Sequence, residues 1–303
     1  MRAALVTGGS GLVGRALIAR LRESGVRVVA TARSPAAERA VVEAGTEPLH
    51  TDLANIGAWE REAAGAEVFF QLGLPRLDPP LRPSGARRRG RVAASDAASL
   101  AAVAAGRPVI LASTGLLYGD RSDGPAVDDD PVARRPPDVA RAAAGAERAL
   151  AGPGLRVVRL PWVYGQAGLF RDLIVGLRIR RYRVVGVGEN RWALLGAADA
   201  ADALIAAASA PPGVYTVAEE PAPTQLEVVH ALCAVPGHPR PDRVPTRFAA
   251  MSMGGAMAEA LATSLWTESG RLAEHGWSPA GDWRRDVVTL ARNPLPLPGS
   301  AGS

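Results

Sequence analysis

The chain has 303 residues, 48% of them hydrophobic and 5% aromatic, and carries a formal charge of +5. That length allows two domains or one large interleaved one with a substantial core. No apolar run approaches a membrane span, and the N-terminal apolar stretch is too short and glycine-broken for a signal peptide, so a soluble cytoplasmic protein is expected. All 35 residues of the Lys/Arg class are arginine. With the excess of Ala, Gly and Pro, this fits high-GC codon usage. A basic face interleaved with aromatics, the mark of a nucleic-acid binder, is missing, so no nucleic-acid partner is expected. The single cysteine, Cys233, excludes an internal disulfide. His50, His230, His238 and His275 are scattered, without the spacing of metal ligands.

In chain order, Ala3–Thr7 is an uninterrupted apolar run that predicts a buried strand. Leu12–Glu23 follows as a helix, Arg27–Ala32 as a strand and Ala36–Ala44 as a helix. Val68–Leu72, Val109–Ser113 and Arg156–Arg159 are further strands, separated by helices at Ser95–Ala105 and Val139–Ala151. A helix near Ala200–Ala208 leads into a strand at Val214–Val217. Strands alternating with helices predict an α/β fold on a doubly wound parallel sheet of Rossmann type. From Pro221 onward prolines are frequent, and helices are expected at Gln225–Cys233, Ala249–Thr263, Thr267–His275 and Trp283–Ala291. The expected division is a dinucleotide-binding domain over 1–165 and 183–219. A smaller, mainly helical substrate domain takes 166–182 and 220–303, with a disordered tail at 293–303. Pro75–Arg91, rich in proline and arginine, predicts a solvated loop. Its functional reading is an anion-binding lid over the cofactor or an acidic substrate.

The first strand runs into Thr7-Gly8-Gly9-Ser10-Gly11-Leu12-Val13-Gly14. Gly8 permits a tight turn, Gly11 lets backbone approach a pyrophosphate, and Gly14 lets the helix pack close to the sheet. Ser10, Leu12 and Val13 complete a loop whose helix N-terminus offers N–H groups to phosphates. A strand before the glycines and an amphipathic helix after them are the context a dinucleotide site requires. The second strand ends in Ala30-Thr31-Ala32-Arg33-Ser34, without the acid that holds the ribose hydroxyls of NAD. Arg33 can pair with a 2′-phosphate, with Thr31 or Ser34 adding hydrogen bonds, so the cofactor read from the sequence is NADP(H).

Six segments in order resemble the extended short-chain dehydrogenase/reductases. Thr51-Asp52-Leu53 resembles the family's acid-Leu step, which puts Asp52 and Leu53 beside the adenine. Gln71-Leu72-Gly73-Leu74 stands at its strand end along the cofactor. Ser113-Thr114-Gly115-Leu116-Leu117-Tyr118-Gly119 resembles its Ser-Ser-x-x-Val-Tyr-Gly segment. Arg159-Leu160-Pro161-Trp162-Val163-Tyr164-Gly165 resembles the strand that ends under the nicotinamide, which implies cofactor contacts from Pro161 and Val163. Ala197-Ala198-Asp199-Ala200-Ala201 and Leu272-Ala273-Glu274-His275-Gly276-Trp277-Ser278-Pro279 resemble its Val-Asp-Asp-Val-Ala and Leu-Gly-Trp-x-Pro segments. By the same resemblance a homodimer through two helices, one of them bearing Val139, is expected.

The resemblance stops at the catalytic helix. The family uses Tyr-x-x-x-Lys, with the lysine lowering the tyrosine's pKa, and a Glu four residues after the lysine. Glu147 is recognisable, but the register puts Val139 at the tyrosine and Ala143 at the lysine, and the chain contains no lysine. Tyr118, Tyr164, Tyr182 and Tyr215 lie outside that helix. Thr114 fills the family's hydroxyl position and is the first catalytic candidate. Ser95 is the second, its alternative being a helix N-cap before Ala97. Atypical members without the Tyr/Lys pair, the simocyclinone type among them, are ketoreductases that tailor aromatic polyketides. The resemblance therefore implies an NADPH-dependent ketoreductase acting on an aromatic polyketide. The alternatives are a non-catalytic NADP(H)-binding sensor or regulator, and a sugar-nucleotide epimerase or dehydratase.

Overall fold

The computed structural model describes residues 1–51, 59–75 and 80–293. In chain order the first half runs β1 (Ala3–Thr7), α1 (Leu12–Glu23), β2 (Arg27–Ala32), α2 (Pro35–Glu43), β3 (Glu47–His50), α3 (Glu60–Ala64), β4 (Val68–Gln71), α4 (Pro83–Ala104), β5 (Val109–Thr114), α5 (Arg141–Leu150) and β6 (Leu155–Leu160). The second half runs β7 (Trp162–Tyr164), α6 (Gly168–Arg178), β8 (Val184–Val185), β9 (Leu194–Gly196), α7 (Ala197–Ser209), β10 (Gly213–Thr216), α8 (Gln225–Cys233), β11 (Arg243–Val244), α9 (Thr246–Met253), α10 (Gly255–Ala262) and α11 (Trp283–Arg292). No helix among the described residues is long and apolar enough to cross a membrane.

Seven strands form one sheet in the order β10-β6-β5-β4-β1-β2-β3, every pair parallel. Side chains alternate between its faces, as a two-residue period requires. Ala4 and Val6 face Leu17, Ile18 and Leu21 of α1 and Leu204 of α7, whereas Leu5 faces Trp59, Leu100 of α4 and Leu150 of α5. A third cluster joins Trp162, Tyr164 and α6 to helices α8 to α11 and forms the helical C-terminal part. The sheet reverses direction in sequence between β1 and β4, and a crevice opens at the carboxyl ends of such strands.

Four sequence expectations are corrected. The arginine-rich segment is not a loop throughout: from Pro83 to Arg91 it forms the first turns of α4, with Pro83 in the first turn. Proline is well placed there, arginine is a good helix former, and the buried Leu81 and Ala86 anchor the start. The helix expected at Ser95 therefore starts twelve residues earlier, and Ser95 is mid-helix rather than an N-cap. The helix expected over Ala249–Thr263 breaks into α9 and α10 at Gly254 (φ +86°), where a Cβ would sit 2.4 Å from the Leu81 carbonyl oxygen. Of Thr267–His275, only Arg271–His275 is helical. The N–H groups of Glu268, Ser269 and Gly270 instead bond Ala126, Glu220 and Thr216. Edge strand β3 was missed: its Pro48 breaks the strand signature, and proline is tolerated at a sheet edge.

Candidate functional site

The turn after β1 closes on itself tightly enough to exclude side chains. Gly8 has φ +71°, and a Cβ there would meet the Gly73 backbone nitrogen at 2.7 Å; a Cβ on Gly14 would meet the Gly8 oxygen at 2.3 Å. Thr7 Oγ1 donates to Gln71 and accepts from the Gly73 N–H at 3.1 Å, joining the carboxyl ends of β1 and β4. Gly11 is the N-cap of α1, and no side chain caps that helix start. Its first N–H groups are thus left for an anion, which is the geometry of a pyrophosphate cradle.

A cavity of about 310 Å³ continues from this turn across the end of β2. Thr7, Gly8, Ser10, Gly73, Thr31, Arg33 and Ser34 line it, with no carboxylate among the described lining residues. Arg33 is exposed and makes no ion pair among the described residues. Ser34 caps α2 by accepting the Ala37 N–H at 3.2 Å. Space for a ribose-phosphate, a guanidinium and a helix N-terminus occur together here. These residues fit a phosphorylated ribose better than a free diol.

The other sequence-selected residues distribute as follows. Val13, Leu72 and Val163 pack against one apolar cluster. Leu12 touches the position a Cβ on Gly165 would take, 2.6 Å away, so α1 and the segment after β7 meet. Pro161 is buried, and Leu74 packs between the two other clusters. Asp52 and Leu53 lie outside the described residues. Thr114 ends β5 half-buried, and its Oγ1 accepts the Leu116 N–H at 3.3 Å, leaving the hydroxyl hydrogen to donate. Ser95 is exposed, and the polar side chain that α4 turns inward is its neighbour Asp96. Sequence reading missed Asp96, which carries no local signal.

Val139 and Ala143 flank the site without a polar atom; Ala143 is buried and Val139 packs beside it. Glu147, one turn later, ties the elements together. It accepts from Ser113 Oγ, and Arg159 forks onto it with Nη2–Oε2 2.9 Å and Nε–Oε1 3.2 Å. The Arg159 guanidinium lies 4.8 Å from the centre of the Tyr118 ring. Tyr118 donates to the Asp128 carbonyl oxygen at 2.6 Å, and burial pushes its phenol up to about 12 against the pull of Arg159. Tyr118 is therefore neutral and already bonded, a structural group.

A second buried cluster lies under α11. Tyr164 donates to Glu219 at 2.7 Å, with Asp286 at 3.2 Å, while Asp199 accepts the Gly281 N–H at 2.9 Å. Burial pushes the Glu219 carboxyl above the usual carboxylate range, against hydrogen bonds from Tyr164 and the Gly196 N–H that lower it. A raised folded-state value means that the fold retains a proton the unfolded chain has released. Stability then declines as pH rises from the unfolded carboxylate range through the raised one. Glu219→Gln, permanently neutral, is expected to gain in melting temperature relative to the wild type as pH rises between about 4 and 8. Parallel profiles for the two proteins would contradict this.

The sequence matches the NAD dependent epimerase/dehydratase family over residues 4–218. A search of curated proteins found no match. Several solved structures share the fold. Human epimerase family protein SDR39U1 (isoform 2), solved with NADPH, is 19% identical with a TM-score of 0.79, over 96% of this chain and 99% of that one. The NAD dependent NDP-hexosamine 5,6-dehydratase TunA, involved in tunicamycin biosynthesis, is 21% identical with a TM-score of 0.75, over 95% and 96%. UDP-glucose 4-epimerase from the hyperthermophilic eubacterium Thermotoga maritima, solved with UDP-glucose, is 17% identical with a TM-score of 0.77, over 95% and 97%.

Proposed function

The chain belongs to the NAD dependent epimerase/dehydratase family, and we propose that it is an NADPH-dependent ketoreductase of a polycyclic aromatic polyketide, a tailoring step in antibiotic biosynthesis. One observation carries the reading: a formed cofactor cleft with Arg33 and, among the described residues, no acid lies in a fold whose α5 region offers Val139 and Ala143 in place of a proton donor. When bound, NADPH supplies a hydride to the carbonyl carbon. The carbonyl π pair then moves to oxygen, and that charge needs a donor. A simple ketone would need the missing tyrosine. A hydroxyanthraquinone or angucyclinone carries a hydroxyl beside its carbonyl, which stabilises the alkoxide until water delivers a proton. Thr114, at the end of β5, orients the carbonyl or that hydroxyl with its remaining hydrogen.

NADPH absorbance with a panel of quinonoid polyketides and simple ketones tests this. Turnover of the former alone is expected; turnover of simple ketones would contradict it. Thr114→Ala is expected to reduce turnover about 10-fold, the worth of one hydrogen bond at a charged oxygen, and full activity would remove Thr114 from the mechanism. The absence of polar side chains at 139 and 143 also favours a second reading, a non-catalytic NADP(H)-binding sensor or regulator. Tight NADPH binding without oxidation by any panel member would select it. Epimerisation or dehydration of a sugar nucleotide is less well supported, since a proton must be removed, positions 139 and 143 hold no base, and Glu147 is engaged by Ser113 and Arg159.

A further inference from the structure

β5 and β6 lie side by side with Thr114 paired to Leu160, and Trp162 follows two residues after that partner, at the start of β7. The Trp162 side chain is buried, with 9% exposure. Its apolar cluster also holds Leu116, Leu117, Ala140 and Ala143, with Val139 packed against it. The ring of Trp192 stands 5.9 Å away, tilted by 50°, and its own N–H donates to the Leu261 carbonyl oxygen at 3.1 Å. Among the described residues, the indole nitrogen of Trp162 has no hydrogen-bond partner.

A buried donor left unpaired costs about 1–3 kcal/mol, and native structures leave few of them. Two other indoles share this state, Trp59 beside the undescribed 52–58 segment and Trp283 in a separate cavity with Glu219 and Glu220. Of the three, Trp162 belongs to the strand end that carries Pro161 and Val163. Its cluster also contains the two positions from which a proton donor is missing.

We infer that Trp162 donates its indole N–H to an oxygen of the polycyclic substrate, with the fully buried Trp192 packed behind it and holding its ring in place. The inference rests on the ketoreductase reading. An indole N–H does not ionise in this pH range, so it stabilises negative charge on oxygen without delivering the proton, which still comes from water. The chain thereby replaces half of what Tyr and Lys would do, the electrostatic half.

The indole resonances of the six tryptophans in ¹⁵N-labelled protein saturated with NADP⁺ provide the test, with Trp162→Phe assigning the Trp162 signal. Adding 1,8-dihydroxyanthraquinone is expected to shift that indole proton downfield, as a new hydrogen bond does. Trp162→Phe is expected to lower kcat about 10-fold with NADPH affinity unchanged, and Trp162→Tyr, which offers an O–H, to recover part of it. If packing prevents Trp162→Phe from folding, Trp162→Tyr serves for assignment. An unmoved indole in a protein that reduces hydroxyanthraquinones, or full turnover by Trp162→Phe, overturns this role and leaves the ketoreductase reading standing. A wild type that neither binds nor reduces any hydroxyanthraquinone overturns both.

Discussion

Replacing Arg33 with alanine is expected to weaken NADPH binding about 10–100-fold and to leave NADH binding within about twofold. The argument starts at the end of β2, where the chain turns past Arg33 into α2, which Ser34 caps. Among the described residues the lining of the adjoining cavity has no carboxylate to favour a free ribose diol. A guanidinium facing a phosphate dianion makes charge-assisted, bidentate hydrogen bonds, each worth about 1.5–3 kcal/mol. Arg33 is exposed, so the expected effect shrinks with salt, and the titration belongs at low ionic strength. NADPH and NADH fluorescence titrations of both proteins measure it. An unchanged ratio of the two affinities would sink the NADP(H) assignment.

Glu147→Ala is expected to destabilise the fold by about 3–5 kcal/mol, a fall of about 5–15 °C in melting temperature. The two side chains are 16% and 7% exposed, so removing the carboxylate strands the Arg159 charge in the interior. Ser113 loses its acceptor in the same step. Glu147→Leu combined with Arg159→Met is expected to recover part of the loss, because an apolar pair needs no compensation for desolvation. Thermal melts of the single and double variants check both statements. A single-variant loss below about 1 kcal/mol would show that water reaches the pair. Glu147 thus ties α5 to β5 through Ser113 and to β6 through Arg159.

Much of this was legible because it is local. The strand-glycine-helix unit from Ala3 to Glu23 and the buried strands β2, β4, β5 and β6 announce themselves through uninterrupted apolar runs. Gly8 and Gly14 were readable as backbone requirements, and the close approaches at both positions give the reason. The first half of α4 was not readable. Its prolines and arginines look like a solvated loop until Leu81 and Ala86 are seen to be buried. The break at Gly254 was invisible too, since it follows from the backbone of Leu81, distant in sequence, passing through that point.

The composition and the order of segments determined, without coordinates, a parallel α/β fold, a strand-glycine-helix turn, an arginine rather than an acid after the second strand, and a chain without lysine. These depend on spacing along the chain, which a sequence displays directly. Only the tertiary structure decided which polar groups are already engaged and which are not. Tyr118 is bonded to Asp128, Tyr164 to Glu219, and Ser95 is exposed, while the indole of Trp162 is buried without a partner among the described residues. Hydrogen bonding and burial are properties of neighbours brought together by folding, so the same residue types take opposite roles at different places in one chain.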